Sequence, residues 1–325
     1  MVVAGVAAPL ARKRVQAPPL LVQTVAYGAP LGLCVAMRRS RSRDVAACVL
    51  QMWAYLAAYK TPHDDEAAQA ARVHVSYPIV ADRVLGLGEL PSVRLQRAFA
   101  HPRTSPPRWS ALDRVLVWTH WSWFVFPHGS LAYILARRPA RFPRAAVLTY
   151  AVFDVGASVY WFLPTAPPWY AAAASAQREA RAGAAASAPA SSPTGETMRQ
   201  DDAPLPVRRL MVEYGESFWR DGWGSLYSVF GGNPLAAMPS LHFATSVMAA
   251  LLLAETGTLA GAFGACYTAM LGLSLVYLGE HYVVDLLGGA LLTTAVRRMA
   301  PRAGPAVARV GRAVAALEAA AHGAA

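Results

Sequence analysis

Long apolar stretches alternate with short charged segments after residue 110. A helix that crosses the hydrocarbon core of a bilayer needs about 20 consecutive, mainly apolar residues. We predict such helices over stretches whose charges are confined to their ends, at about 115–136, 145–163, 235–254, 259–279 and 281–298.

Two apolar stretches nearer the N-terminus are less regular. Residues 45–60 are short for a span, and residues 20–37 are interrupted by Gly28 and Pro30. We leave the second stretch open as a span, a re-entrant segment or a residual targeting segment, although it lacks a clear small-residue cleavage site. Together the patterns predict an all-α, polytopic membrane bundle of about six transmembrane helices.

The segments between the predicted helices differ in character. Residues 171–200 are dominated by Ala, Ser, Gly and Pro, which predicts a mobile outer loop, with a helix over 171–182 as the alternative. Residues 77–100 fit either an interfacial helix or an ordinary soluble loop. The predicted units are a basic N-terminal segment (1–44), a membrane domain (45–300) and a cytoplasmic tail rich in Ala and Arg (301–325).

Composition favours a membrane protein over a soluble one. Hydrophobic residues make up 55% of the 325 residues and charged residues only 15%, against roughly 45–50% and 25% in soluble domains. The net charge of +11 does not indicate nucleic-acid binding, because the arginines form short clusters between apolar stretches. Cys34, Cys48 and Cys266 show no zinc or disulfide spacing, so we interpret them as buried side chains.

The basic clusters predict how the helices are oriented, because short cytoplasmic loops are enriched in Lys and Arg. Clusters lie within 137–144, within 297–302 and at 38–43, and we predict that all of them are cytoplasmic. Threading the helices alternately then places residues 164–234 and the 280–283 turn on the outer face.

Ionisable side chains inside membrane segments are costly to bury, so each is a candidate functional residue. His281 and Asp285 are four residues apart at the predicted start of the last helix, about one turn apart on one face. The carboxylate can accept the imidazole N–H there, so that the other ring nitrogen presents its lone pair. An imidazole held in this way suits a base or a nucleophile.

A second group of candidates lies in MPSLHFATS, residues 238–246, at the outer end of a predicted helix. Pro239 suits the first helical position, so Ser240 and His242 lie in the first turn. The backbone N–H groups of this turn, that of Leu241 included, and the Ser240 hydroxyl predict an anion site that fits a phosphate. His242 is then placed to protonate a leaving oxygen.

Other interpretations of these residues stay open. A lone histidine in a membrane is often a packing residue, and Pro-Ser at a helix start is a common cap. Two histidines and an aspartate also form a zinc ligand set, but the spacing explains Asp285 better as the partner that orients His281. We therefore predict neither a metal nor a cofactor.

Several further residues are candidate functional residues to which we assign no role. Asp154 lies mid-helix and must face the bundle or water, either in the site or as a structural partner of a tyrosine or histidine. We interpret the WTHWSW stretch at 118–123 as an interface belt or as lipid-facing packing. The remaining candidates are Tyr160, His120 and His128.

The residues around the paired histidines read PSLH at 239–242 and HYVVD at 281–285. They resemble two motifs of the type-2 phosphatidic acid phosphatase superfamily, Pro-Ser-Gly-His and His-x-x-x-Asp, with Leu241 in the place of the glycine. The contexts LPTAPPW and NPLAAMPSLH look like the branch that contains inositol phosphorylceramide synthase. The resemblance covers roughly 77–298 and is most specific over 233–289.

The resemblance implies that His281 attacks phosphorus, that Asp285 orients it and that His242 protonates the leaving group. The chain departs from the superfamily at the arginine six residues before the third-motif histidine, which falls on Leu275. No convincing Lys-x6-Arg-Pro motif is present either. The sequence therefore does not identify the superfamily's phosphate clamp, and other basic residues are candidates for that role.

The candidates for that clamp lie in the predicted outer loop, where the alternative interpretation is that they are solvated loop charges. They are Arg208, Arg209, Arg220 and Arg178. The PTAPPW segment is interpreted as a rigid turn at the rim of the site. Its Pro167 and Trp169, together with Tyr282, are the predicted substrate-rim residues.

These features predict a membrane enzyme that hydrolyses a lipid phosphate or diphosphate through a phosphohistidine. The alternative is a phosphotransferase that passes a phospho-head group, such as phosphoinositol, to a lipid or polyol hydroxyl. A transporter with a His/Asp path would be expected to show paired halves, and the chain has no internal repeat. We expect a lipid phosphate and the bilayer as partners, not nucleic acid, in a bacterial plasma membrane with the site on the outer face.

Overall fold

The computed structural model describes residues 1–186, 205–225 and 232–323, and no strand occurs within these ranges. The predicted all-α membrane-type bundle is confirmed. In chain order the helices are α1 (Val2–Val15), α2 (Pro19–Ala36), α3 (Arg41–Lys60), α4 (Glu66–Ala70), α5 (Ser76–Leu85), α6 (Pro91–Phe99), α7 (Ala111–Ser122), α8 (Phe126–Arg137), α9 (Phe142–Phe162), α10 (Pro168–Ala186), α11 (Leu210–Trp219), α12 (Leu241–Ala254), α13 (Thr258–Tyr277) and α14 (Val283–His322).

Three stretches of the described residues are both long and apolar enough to cross a membrane, against the six or so predicted. They are Pro19–Ala36, Pro139–Phe162 and Thr258–Tyr277, with mean hydropathies of 1.5, 1.4 and 1.7. The first is the segment that the sequence left open, and Pro30 lies inside its helix without ending it. α12 is also apolar but shorter.

The single helix predicted over 115–136 is wrong, because α7 ends at Ser122 and α8 begins at Phe126. Pro127 is the physical cause. Proline has no N–H to donate, and its ring clashes with the carbonyl four residues earlier, which is that of Trp123. The resulting turn lets the Trp123 side chain enter the core, where it is 8% exposed.

Three segments outside the predicted spans are largely helical. The 77–100 stretch forms α5 and α6, separated by a turn in which Gly88 has a φ of +98°. α10 covers residues 171–182, as the alternative interpretation has it, and residues 187–200 lie outside the described residues. The tail continues α14 as one helix, and its Glu318 pairs with Arg43 at 2.9 Å.

The main apolar core lies between α9 and the last three helices. Buried side chains from these elements include Phe153 on α9, Met248 on α12, Leu271 on α13 and Leu286 on α14. Gly156 of α9 matters here, because a Cβ at this position would come within 2.3 Å of a Leu241 side-chain carbon. The leucine that replaces the motif glycine is therefore accommodated by a glycine on the facing helix.

Arginines of two basic clusters, those within 137–144 and 297–302, meet at the end of α12 that is remote from His242. Glu255, directly after α12, accepts hydrogen bonds from Arg144 at 2.6 Å and Arg297 at 2.9 Å. Because α12 has 14 residues, this end lies about 20 Å from the helix start. The two arginines and the histidine motif thus lie at opposite ends of α12, while the threading and the assignment of the basic end to the cytoplasm stay predictions.

Candidate active site

Two histidines and one aspartate form a continuous hydrogen-bonded chain. His242 Nδ1 lies 3.2 Å from His281 Nε2, and His281 Nδ1 lies 3.3 Å from Asp285 Oδ2. Asp285 is fully buried, and His281 is 5% exposed. The structure thus brings together the three residues on which the sequence interpretation rests. The Nε2 of His281 is the ring nitrogen that faces away from the carboxylate.

His281 reaches Asp285 in a different way from the one predicted. It does not lie on the helix face, because α14 begins only at Val283. Asp285 is in the first turn of α14, and its Oδ2 also accepts the backbone N–H of Tyr282 at 2.9 Å. The carboxylate therefore fixes both the loop that carries His281 and the imidazole itself.

α12 also starts later than predicted. Ser240 is its N-cap, since the Ser240 hydroxyl accepts the Phe243 N–H at 3.3 Å, so Pro239 precedes the helix instead of occupying its first position. Ser240 is fully buried, and its own N–H donates to the Asp285 carbonyl at 2.9 Å. The Ser240 hydroxyl thus accepts a capping hydrogen bond, and its predicted donation to a phosphate stays a prediction. The N–H groups of Leu241 and His242 lie in the first turn of α12, so they have no carbonyl acceptor within the helix.

Close packing of α12 against α14 sets the distance between the two histidines. A Cβ on Gly289 would lie 2.5 Å from the Ser240 carbonyl oxygen, so only glycine permits this approach. One turn further along, the Thr293 hydroxyl donates to the Ala244 carbonyl at 2.7 Å. The small residues that follow the HYVVD motif are therefore required by the geometry of the site.

Asp82, on α5, caps the helix that carries Asp285, and the sequence interpretation missed it. Its two carboxylate oxygens accept the N–H groups of Val283 at 2.9 Å and Val284 at 2.8 Å. Burial raises the pKa of the Asp82 carboxyl, although the two N–H donors act in the opposite direction. The only local signal was an acidic residue on an otherwise amphipathic stretch.

We expect Asp82→Ala to destabilise the protein by roughly 2 kcal/mol or more, because the cap is lost and two buried N–H groups are left without an acceptor. Thermal unfolding in detergent measures the effect. Asp65→Ala is the matched control, since Asp65 caps the short α4 by accepting the Ala68 N–H at an exposed position. A melting temperature for Asp82→Ala no lower than that of the control would contradict the assignment.

Two aromatic rings flank His242. The Trp123 ring centroid lies 4.2 Å from that of His242, and the Trp123 Nε1–H donates to the Thr245 hydroxyl at 3.0 Å. The His120 ring centroid is 5.2 Å from His242. Trp118, in contrast, is 48% exposed. The interpretation of 118–123 as an interface belt is therefore wrong for the residues that face inward.

Arg209 is the predicted basic residue that comes nearest to the histidines. Its guanidinium donates to both oxygens of Glu280, at 2.8 and 3.0 Å, and its central carbon lies 3.8 Å from the centroid of the Trp169 ring. Burial raises the pKa of the Glu280 carboxyl, but Arg209 outweighs this effect and holds the pKa below its usual value. Glu280 also interacts electrostatically with His281.

The other predicted clamp residues are engaged elsewhere. Arg208 forms an ion pair with Glu213 and donates to the His101 carbonyl at 2.6 Å. Arg220 is exposed just beyond α11, and Arg178 is exposed on α10. The structure therefore brings neither Arg178, Arg208 nor Arg220 to the histidine pair.

The predicted rim residues have different environments. Trp169 is partly exposed beside Arg209, as a rim residue would be. Pro167 is buried, and its carbonyl accepts the N–H groups of Tyr170 and Ala171, both at 3.1 Å. Tyr282 is fully buried against an apolar cluster, so the prediction that it lines the rim is wrong.

Asp154 and Tyr160 serve the structure around the site. Asp154 accepts hydrogen bonds from Tyr27 and Gln51, both at 2.9 Å, which joins α9 to α2 and α3. The Tyr160 hydroxyl donates to the Pro239 carbonyl at 2.7 Å and so holds the segment that leads into α12. The His128 ring lies against Phe153, with centroids 5.9 Å apart.

Comparison with known proteins identifies the family to which the chain belongs. The model of the PAP2 superfamily matches residues 108–299, which include both histidines and the aspartate. The chain belongs to the PAP2 superfamily. Membership indicates an integral membrane protein with phosphatase- or phosphotransferase-type activity on phosphate esters. No curated protein and no solved structure matches the chain significantly.

Proposed function

We propose that this protein is a membrane lipid phosphatase that hydrolyses a lipid phosphate or diphosphate through a phosphohistidine at His281. The single observation that carries the proposal is the chain from Asp285 through His281 to His242, with Nε2 of His281 directed at the second imidazole. Hydrogen bonding to Asp285 keeps the proton on Nδ1 and leaves the Nε2 lone pair for attack.

The first half-reaction transfers the phosphoryl group to the protein. The His281 Nε2 lone pair forms a bond to phosphorus, while the bond between phosphorus and the leaving oxygen breaks. His242 donates its proton to that oxygen, so the lipid product leaves as a neutral alcohol or as a protonated phosphate. The buried Asp285 carboxylate stabilises the positive charge that develops on the His281 ring.

The second half-reaction regenerates the two imidazoles. His242, now neutral, takes a proton from water as the water oxygen attacks phosphorus, and the bond from phosphorus to Nε2 of His281 breaks. Inorganic phosphate is released. Attack by a polyol hydroxyl in place of water gives phosphotransfer, the reaction type of the branch that contains inositol phosphorylceramide synthase.

The phosphate site combines backbone donors with one cation. The Leu241 and His242 N–H groups lie at the positive end of the α12 dipole, beside the His242 ring. Arg209 adds a positive charge beside Glu280, the residue before His281. Leu275, which stands where the superfamily motif carries an arginine, is fully buried and has no charge to contribute. We propose that Arg209 takes the place of the arginine that the superfamily motif carries, and that the site opens to the outer face.

We expect Arg209→Ala to lower kcat/KM by about 10²-fold, because one charged donor to the developing phosphoryl charge is lost. Steady-state kinetics on a lipid phosphate measure the change. Arg208→Ala is the matched control, since the neighbouring Arg208 pairs with Glu213. The double variant Arg209→Ala/Glu280→Gln separates loss of the clamp from repulsion by the unpaired Glu280. Equal effects of the two single arginine variants would contradict the assignment.

The function itself is tested with the purified protein in detergent and a panel of lipid phosphates and diphosphates. Release of inorganic phosphate without an added acceptor supports hydrolysis, whereas product formed only with a polyol supports transfer. No turnover under either condition would refute both reactions. Activity that chelator abolishes and zinc restores would refute the metal-free mechanism.

A further inference from the structure

A third imidazole lies beside the catalytic pair and has no structural task. His120 on α7 is 5% exposed, and neither of its ring nitrogens has a hydrogen-bond partner among the described residues. A neutral imidazole carries one donor and one acceptor, and leaving both unpaired in a buried position is unfavourable. An apolar side chain would fill the same space without that penalty. The arrangement therefore indicates a ligand that is absent from the free protein.

The surroundings of His120 show what that ligand is. Its ring lies 5.2 Å from the His242 ring, and it interacts electrostatically with His281, Glu280 and Arg209. The His120 ring thus lies beside the His242 ring of the proposed phosphoryl-transfer site. Leu275, where the superfamily motif carries an arginine, contributes no donor and is fully buried.

We propose that His120 is a substrate-contacting residue whose ring N–H donates to a non-bridging oxygen of the transferring phosphoryl group. This inference rests on the proposed function. No bond to His120 forms or breaks in the reaction. The contact satisfies the buried donor and supplies part of the anion stabilisation that the missing arginine would provide. The ligand chemistry is that of an anionic phosphoryl group, whether it arrives on a lipid head group or as inorganic phosphate.

Binding of inorganic phosphate to the full-length protein in detergent, followed by phosphorus NMR titration, tests the proposal without turnover. We expect His120→Phe to weaken phosphate binding by about 10-fold or more. His120→Asn and His120→Gln place an amide N–H near the positions of Nδ1 and Nε2, and one of them should recover part of the affinity. His128→Phe is the matched control, because the ring of His128 lies against Phe153 and one of its nitrogens also lacks a partner in the described structure.

Four results would overturn the proposal. Two concern the variants, namely equal phosphate affinity of His120→Phe and wild type, and loss of affinity in His128→Phe to the same extent as in His120→Phe. The other two concern the wild type, namely absence of phosphate binding and phosphate binding that chelator abolishes. Kinetics on a lipid phosphate distinguish the proposed role of His120 from the proposed function of the protein. Wild type that binds phosphate through His120 but turns over no phosphate ester would refute the proposed function while leaving the role of His120 intact.

Discussion

Replacing His281 with alanine is expected to lower kcat on a lipid phosphate by at least about 10⁴-fold, the largest effect of any single change. The reason is that Nε2 of His281 is the atom that bonds to phosphorus in the proposed mechanism, and loss of a nucleophile in comparable covalent mechanisms removes most of the catalysis. Release of phosphate from the substrate measures kcat. Rapid acid-free quenching with radiolabelled substrate measures the phosphoenzyme, which should be absent from the variant.

The fold of the His281→Ala variant must be verified, because the loop before α14 is tightly packed. A melting temperature close to that of wild type supports a chemical cause for the loss. His101→Ala is the control for histidine removal as such, since the side chain of His101 is exposed on a loop. Label that still accumulates on His281→Ala would show that another residue carries the phosphoryl group.

Replacing His242 with glutamine should lower kcat on lipid substrates by about 10²–10⁴-fold, the range expected for loss of a general acid and base. The loss should depend on the leaving group. A lipid alkoxide needs a proton as it departs, whereas an aryl leaving group departs as a stable anion. We therefore expect a much smaller defect in the first half-reaction with a nitrophenyl phosphate than with a lipid phosphate.

The nitrophenyl substrate also tests the second role of His242. Because the same imidazole activates the attacking water in the proposed mechanism, the variant should form the phosphoenzyme and then accumulate it, which appears as a burst of nitrophenol followed by slow turnover. His281→Ala should show no burst. An equal defect on both substrates, with no burst in His242→Gln, would show that His242 only holds the neighbouring ring.

Local sequence patterns predicted the parts of the site that depend on neighbours in the chain. Asp285 contacts His281 four residues away, and His242 lies in the first turn of its helix, as the motif spacings indicated. The starts of α12 and α14, predicted at about 235 and 281, lie at Leu241 and Val283. Ser240 and Asp285 decide those starts, because their side chains satisfy backbone N–H groups that a periodicity pattern does not count.

Contacts between distant segments could not be read from the sequence. Asp82 caps a helix that begins 201 residues later, and Arg209 meets Glu280 only because the 205–210 segment packs along the end of α13. At that contact the Leu210 N–H donates to the Leu278 carbonyl at 3.2 Å. No periodicity or spacing encodes which of several loop arginines reaches the site.

The sequence by itself determined that this chain is a helical membrane protein and that Asp285 contacts His281, and it predicted that the chemistry rests on two histidine motifs. These properties follow from composition, helix length and short-range spacing. Only the tertiary structure decided that the motifs meet at 3.2 Å, that Leu241 fits because Gly156 faces it, and that the His120 ring lies 5.2 Å from that of His242. Such contacts depend on how whole helices pack, which is a property of surfaces brought together by folding and not of any local pattern.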